Sequence, residues 1–250
     1  MTSSYDTQCA HEFELIKPRL DRFFAEMAVE CPYHLPHEAV FYQALFSPLA
    51  DRVMELFLAS GYRRNGNCLY TMHCPDCISC IPIRLDVREM VFNRNQQRVL
   101  KRNRDVAIEF APIEASDENI DLCKKFLKNR YPHQSSDGKS YYDGFFLNTI
   151  IPGMELRYRL DGKLIGNGIV DIGANWMNAV YFYFDPDHAK RSPGVFNILS
   201  LINTCLDLEI SYLYLGYYLR EVSAMSYKDR FNPHYLYVDE TWQQAQPKKT

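Results

Sequence analysis

The chain has 250 residues, 47% hydrophobic and 24% charged, with a net charge of −3. That is ordinary globular composition with room for one large domain or two small ones, and its total charge gives no argument for nucleic-acid binding. No apolar run approaches the roughly 20 residues of a membrane span. The start MTSSYDTQCAHEFEL lacks a basic stretch followed by an apolar core, so no secretory leader is expected. Eight cysteines, three of them within seven residues, then point to free thiols in a reducing cytoplasm and not to a disulfide framework.

In chain order, the first dozen residues read as poorly ordered. The apolar series Phe13, Ile16, Leu20, Phe23, Phe24 and Met27 predicts a helix from Phe13 to Val29 despite Pro18. ECPYHLPHEAVFYQALF is broken by prolines, leaving FYQALF as a short strand. Ser47-Pro48 opens a helix that runs through Ser60 and ends at Gly61. Asn65-Gly66 marks a hairpin, and the alternation Ile81, Ile83, Leu85, Val87 marks a strand.

Between these strands lies C-x2-C-x2-C, formed by Cys74, Cys77 and Cys80, with His73 beside it and Cys68 and Cys31 as further donors. Thiolates at this spacing aim into one turn and suit a soft ion, so Cys31, Cys74, Cys77 and Cys80 are a candidate site for zinc or an iron–sulfur cluster. The same residues also fit a set of buried thiols in a proline-punctuated turn.

Arg88 to Arg104 is a local basic stretch hidden by the total charge. Gln97, Arg98, Lys101, Arg102 and Arg104 are candidates for tracking a phosphate backbone, and Gln96 and Asn103 for contacts to sugars or bases. A solvated helix face is the alternative reading.

A second unit follows. ASDENIDLCKKFLKNRY predicts an amphipathic helix capped by Ser116 or Asp117, and PHQSSDGKSYYDG a polar loop. From Glu155 three strands form a meander with turns at Asp161-Gly162 and Gly173-Ala174-Asn175. Val180 to Tyr218 reads as strand, helix, strand, with Ser192 capping a helix that begins at Pro193. On such units ligands sit beyond the strand ends, here near Asp185 and the amides of Ser192 to Val195. The expected fold is α+β: a GNAT-like acyltransferase domain, meander plus β-α-β, over residues 113–250, after a smaller cysteine-containing N-terminal domain over residues 1–112.

YFYFDPD, SPGVFNIL, YLYLGYYL and MSYKDRFNP resemble the C-terminal half of the arginyl-tRNA–protein transferase family. ECPY, GYRRNGNCLY, HCPDCISCIPIRLDV and FNRNQQRVLKRN resemble its N-terminal half, in the same order. The compact chain is more similar to the bacterial leucyl enzymes than to the larger arginyl ones. The resemblance implies transfer of an aminoacyl group, leucyl before arginyl, from charged tRNA to the α-amine of proteins beginning with Asp or Glu, marking them for N-degron proteolysis in the cytoplasm without a cofactor for the chemistry. It implies catalytic roles for Asp185, to orient the amine and stabilise the developing ammonium, and for Tyr183. Lys228, Arg230, Tyr217 and Arg157 become the candidates for substrate binding, since an arginine fork matches a carboxylate.

The chain departs from the family where relatives carry a histidine-glycine-methionine loop and it has RYPHQSSDGKS, with His133, and again at EVSAMSYK. An acyl-coenzyme A-dependent N-acyltransferase and a non-catalytic RNA-binding protein are the competing readings.

Overall fold

The computed structural model describes residues 3–132 and 137–246; His133 lies outside the described residues. The elements in chain order are α1 (Ser4–Leu20), β1 (Ala25–Glu30), β2 (Glu38–Leu45), α2 (Asp51–Ala59), β3 (Arg63–Asn65), β4 (Cys68–Met72), β5 (Ile81–Asp86), α3 (Arg94–Arg102), β6 (Val106–Pro112), α4 (Asp117–Arg130), α5 (Gly138–Phe145), β7 (Gly153–Leu160), β8 (Lys163–Ile172), β9 (Trp176–Phe184), α6 (Pro193–Asp207), β10 (Tyr212–Tyr218), β11 (Tyr235–Val238) and β12 (Thr241–Gln244). Short helical turns cover Pro186–Arg191 and Ser223–Arg230. The mixed α+β class expected from sequence holds.

Contacts divide the chain into two units: Met1–Met90 with Thr149–Ile151 and Tyr214–Thr250, and Val91–Asn148 with Pro152–Leu213. The boundary falls at Met90 rather than residue 112, so α3 belongs with the second unit. The residues from Tyr214 onward, assigned from sequence to the C-terminal domain, belong with the first.

In the first unit an antiparallel sheet has the order β1-β2-β4-β3, with the expected hairpin at Asn65-Gly66 pairing Asn65 with Cys68. A second set of strands runs β12-β11-β5-β10. The N-terminal stretch is helical from Ser4, not loose, because the Ser3 side chain accepts from the Asp6 amide and Cys9 and Phe13 are buried on one face. That helix stops at Leu20, and Ala25–Glu30 is a strand paired with β2 instead of its continuation.

In the second unit β6, β7, β8 and β9 form an antiparallel meander with the turn at Asp161-Gly162. Helices α4 and α5 cover it through a core of Leu122, Cys123, Leu127, Tyr142, Phe146, Leu164, Ile169 and Tyr183. Residues 138–145, expected as loop, are helix. Asp137 accepts from the amide of Ser140 at 3.0 Å and starts the helix, while Tyr142 and Phe146 anchor it in the core. Gly138 allows the close approach of α5 to α4: a Cβ there would lie 2.8 Å from Cβ of Lys124 and 3.1 Å from the carbonyl oxygen of Ile120. Ser192 does not cap α6. It sits at φ 58° with no side-chain cap bond.

Because neither contact can swing away, Gly138→Val is expected to destabilise the protein by about 1–3 kcal/mol through overpacking, read as a lower urea midpoint at unchanged m. An unchanged midpoint would show that the two helices do not pack this tightly.

Candidate functional site

The second unit carries the basic helix. The Asn93 side chain accepts from the amide of Gln96 at 3.0 Å, and Gln96 Oε1 accepts from the amide of Asn93 at 2.9 Å, so a capping box fixes the start of α3. No acidic residue lies within α3, and Arg94, Gln97, Arg98, Lys101, Arg102 and Arg104 are all exposed. At its end Arg102 donates to the carbonyl of Lys190 at 2.7 Å, and Asn103 Nδ2 donates to that of Arg191 at 3.0 Å. Asp105, the acid next to the helix, is taken up by a two-armed pair with Arg191 at 2.8 and 2.9 Å. The result is one cationic surface from two segments nearly ninety residues apart, to which Lys190 adds an exposed ammonium.

Gln96 and Asn103 are not available to nucleic acid: both are buried, one in the capping box and one closing the helix end. Lys190 was missed in the sequence because the run His188-Ala189-Lys190-Arg191 follows a strand and shows no periodicity.

Asp185 ends β9 and caps the turn Pro186–Arg191. Its carboxylate is 1% exposed and accepts from Lys125 Nζ at 2.5 Å, the amide of Asp187 at 3.0 Å and Lys163 Nζ at 3.5 Å. Burial alone would raise its pKa, but the bonds from Lys125 and the Asp187 amide outweigh it and hold the group below the usual carboxylate range. Such a group stays ionised and is a poor proton acceptor. Tyr183 is fully buried in the core, accepts from Asn167 Nδ2 at 2.9 Å, and its pKa is raised by burial. Arg157 lies between Glu155 at 2.7 Å and Glu114 at 3.3 Å. Glu155, fully buried, is also held by Tyr142 and Asn119, so Arg157 serves to neutralise it. The structure therefore sets Asp185, Tyr183 and Arg157 in saturated surroundings.

The first unit holds the other candidates. Lys228 is 8% exposed and donates to the carbonyl of Tyr217 at 2.7 Å. Burial first, and the neighbouring Arg63 second, lower its pKa to about 7. The Tyr217 ring is buried against Tyr70, and Arg230 is exposed at the end of the turn. Arg63, which sequence reasoning passed over, is 3% exposed; a short polar strand reading RRN gives no sign that both its arginines, Arg63 and Arg64, are buried.

Burial first, and then the neighbouring thiols of Cys74, Cys31 and Cys77, push the Cys80 pKa up to about 12. Cys74 Sγ accepts from the amide of Val40 at 3.4 Å. The structure thus brings the four cysteines near one another, although among the described residues no three His, Cys, Asp or Glu side chains converge to hold an ion. No helix among the described residues is long and apolar enough to cross a membrane.

Comparison with known proteins places the chain in a family. The profile of the arginine-tRNA-protein transferase N terminus matches residues 29–98, and that of the C terminus residues 118–238. An aspartate/glutamate leucyltransferase of Thiobacillus denitrificans is 34% identical over 188 residues, covering 74% of this chain and 78% of that one. Another, of Pseudomonas fluorescens Pf-5, is 31% identical over 229 residues, covering 88% and 95%. A solved C-terminal domain (DUF2156) from Agrobacterium fabrum superposes with a TM-score of 0.46 at 11% identity, covering 90% of this chain and 84% of that domain. The protein is an enzyme, a transferase with tRNA as a partner. It belongs to the arginine-tRNA-protein transferase family.

Lys228 makes stability depend on pH with a defined sign. Its pKa falls from about 10.5 in the unfolded chain to about 7 in the folded protein. Between those values the unfolded chain binds a proton that the folded one lacks, so stability rises with pH. Relative to Lys228→Met, the wild type should gain about 1 kcal/mol per pH unit from pH 7.5 to 9 in urea unfolding. Parallel curves would mean that Lys228 titrates normally.

Proposed function

We propose that the protein moves a leucyl group from the 3′ end of charged tRNA to the α-amine of proteins whose first residue is Asp or Glu. The observation that carries this reading is the exposed, acid-free face of α3, extended by Lys190, in a chain whose relatives named aspartate/glutamate leucyltransferases match it across both halves. A face of this kind binds phosphates by releasing their counterions. The leucyl ester then meets the neutral acceptor amine. The nitrogen attacks the carbonyl carbon, an oxyanion forms and collapses, the bond to the ribose oxygen breaks, and the proton given up by the amine ends on that oxygen. The product is an amide, and no redox step or cofactor enters.

In this reading the meander with its following strand-helix-strand is a GNAT-like acyltransferase scaffold. Asp185 works by holding the turn that carries Lys190, since its carboxylate is already bonded on three sides. Tyr183 shapes the core beneath it. Lys228, with Arg230 at the mouth, meets the acidic side chain of the acceptor. The new N-terminus marks the acceptor for N-degron proteolysis, a cytoplasmic role. Cys31, Cys74, Cys77 and Cys80 are the thiols that zinc or an iron–sulfur cluster would draw together, supplying a structural clamp and taking no part in acyl transfer.

Transfer of labelled leucine from leucyl-tRNA to an Asp-initiated peptide tests the reading, with arginyl-tRNA and acetyl-coenzyme A as control donors. Preference for acetyl-coenzyme A would make it an ordinary N-acyltransferase, and binding of tRNA without any transfer an RNA-binding protein. Replacing Arg98 and Lys101 together by Glu is expected to weaken leucyl-tRNA binding by at least about tenfold at low salt and to flatten its salt dependence, because two phosphate contacts are lost. Unchanged affinity and slope would remove α3 from the interface. Metal analysis of protein purified without oxygen should find zinc or iron that is lost in Cys74→Ser; its absence in the wild type would leave the thiols as packing.

A further inference from the structure

Arg63 and Lys228 are two buried cations without a counter-charge. Arg63 donates from Nη1 to the carbonyl of Tyr62 at 2.7 Å and from Nη2 to that of Gly216 at 3.0 Å, while its Nε has no hydrogen-bond partner among the described residues. Lys228 donates to the next carbonyl along β10, that of Tyr217, at 2.7 Å. The rings of Tyr217 and Tyr214 lie 5.6 and 5.9 Å from the guanidinium carbon. Neither cation has a carboxylate within ion-pairing distance among the described residues. By contrast, buried Arg84 meets Asp6 at 2.6 Å, and buried Glu155 meets Arg157. Charging a guanidinium and an amine beside each other out of water is costly, and a bound anion removes that cost. Gly216, half-buried at φ 76°, supplies an approach: a Cβ there would meet only Nζ of Lys228, at 3.8 Å.

We propose that Arg63 and Lys228 form one pocket for a single carboxylate, entered beside Gly216, and that it reads the acidic side chain of the acceptor's first residue. This rests on the transferase reading above. The pocket suits a side-chain carboxylate better than a phosphodiester, because its cations are only 3% and 8% exposed whereas the tRNA backbone needs an open surface such as α3. It carries two donors, the Nε without a partner among the described residues and the Lys228 nitrogen, with the rings of Tyr214 and Tyr217 beside the guanidinium. Asn and Gln would place a neutral amide there and leave the guanidinium unmatched.

The titratable and charged groups around the pair are Tyr33, Tyr70 on β4, Tyr214 and Tyr217 on β10, and Asp229 and Arg230 on the turn of Lys228. Burial pushes the pKa of Tyr70, Tyr214 and Tyr217 up, so they stay neutral near pH 7. Lys228 is then the group in the pocket that changes charge near neutrality, and a carboxylate arriving beside it draws a proton from solvent onto Nζ.

The test compares peptides that begin with Asp, Glu, Asn or Gln and are otherwise identical, in wild type, Arg63→Gln, Arg63→Lys and Lys228→Met. In leucine transfer from leucyl-tRNA, Arg63→Gln and Lys228→Met are expected to lower the Asp-over-Asn ratio of kcat/KM at least about tenfold, with Arg63→Lys retaining part of it. The affinity for leucyl-tRNA should stay within about twofold. An unchanged ratio in folded variants overturns the pocket. So does an equal loss of leucyl-tRNA affinity, which would make it a phosphate site. Calorimetry of the wild type in buffers of different ionisation enthalpy at pH 7.5 needs no variant to fold. The Asp peptide should take up more protons than the Asn peptide, and equal uptake contradicts the proposal. If the wild type transfers leucine to no peptide, the transferase reading fails, and calorimetry still decides whether the pocket binds a carboxylate.

Discussion

A charge removed from water needs a partner, and that constraint organises much of this molecule. Glu155 is fully buried, and Arg157, Asn119 and Tyr142 gather around it, tying β7 to α4 and α5. Asp185 is met by Lys125 and by the amide of the turn it caps, which fixes the end of β9. Arg84 is met by Asp6 and lies 4.3 Å from the ring centre of Trp242, which ties α1 to β5 and β12. Arg63 and Lys228 depart from this pattern: among the described residues no carboxylate lies within ion-pairing distance of either, and basic groups buried in this way are expensive enough to call for a functional explanation.

Exposure separates a second kind of positive charge. The cations of α3 and Lys190 face water, where holding them costs little and where a polyanion reaches several at once. The two settings favour different ligands. An open cationic face suits a backbone of phosphates, and a closed aromatic-walled pair suits one small anion. A transferase with tRNA as a partner has use for the first, and the proposed acidic acceptor would use the second.

How much of this was legible in the sequence depended on where each residue finds its partner. The meander, α3 and α4 could be read because their period, turns and caps are local: Asp161-Gly162, Asn93 and Ser116 act within a few residues. Helix α5 could not, because its sequence is polar and its support comes from Tyr142, Phe146 and the Gly138 contact with α4. Lys228, Arg230 and the basic residues of α3 were named from sequence and lie where a ligand can approach or the charge is unmatched. Tyr183 and Arg157 looked available only because their partners, Asn167, Glu114 and the cover of α5, come from other elements. Arg63 escaped notice for the opposite reason: nothing in a three-residue polar strand shows that both of its arginines, Arg63 and Arg64, are buried.

On the proposal above, Lys228, buried beside Arg63 with no carboxylate within ion-pairing distance among the described residues, becomes fully charged only when an anion arrives. The most direct measurement is the titration of its Nζ by NMR on lysine-labelled protein, free and with Asp- or Asn-initiated peptide. The expected result is a midpoint near 7 in the free protein that moves up with the Asp peptide and stays with the Asn peptide. An ordinary lysine midpoint of about 10 in the free protein, unmoved by either peptide, would contradict it.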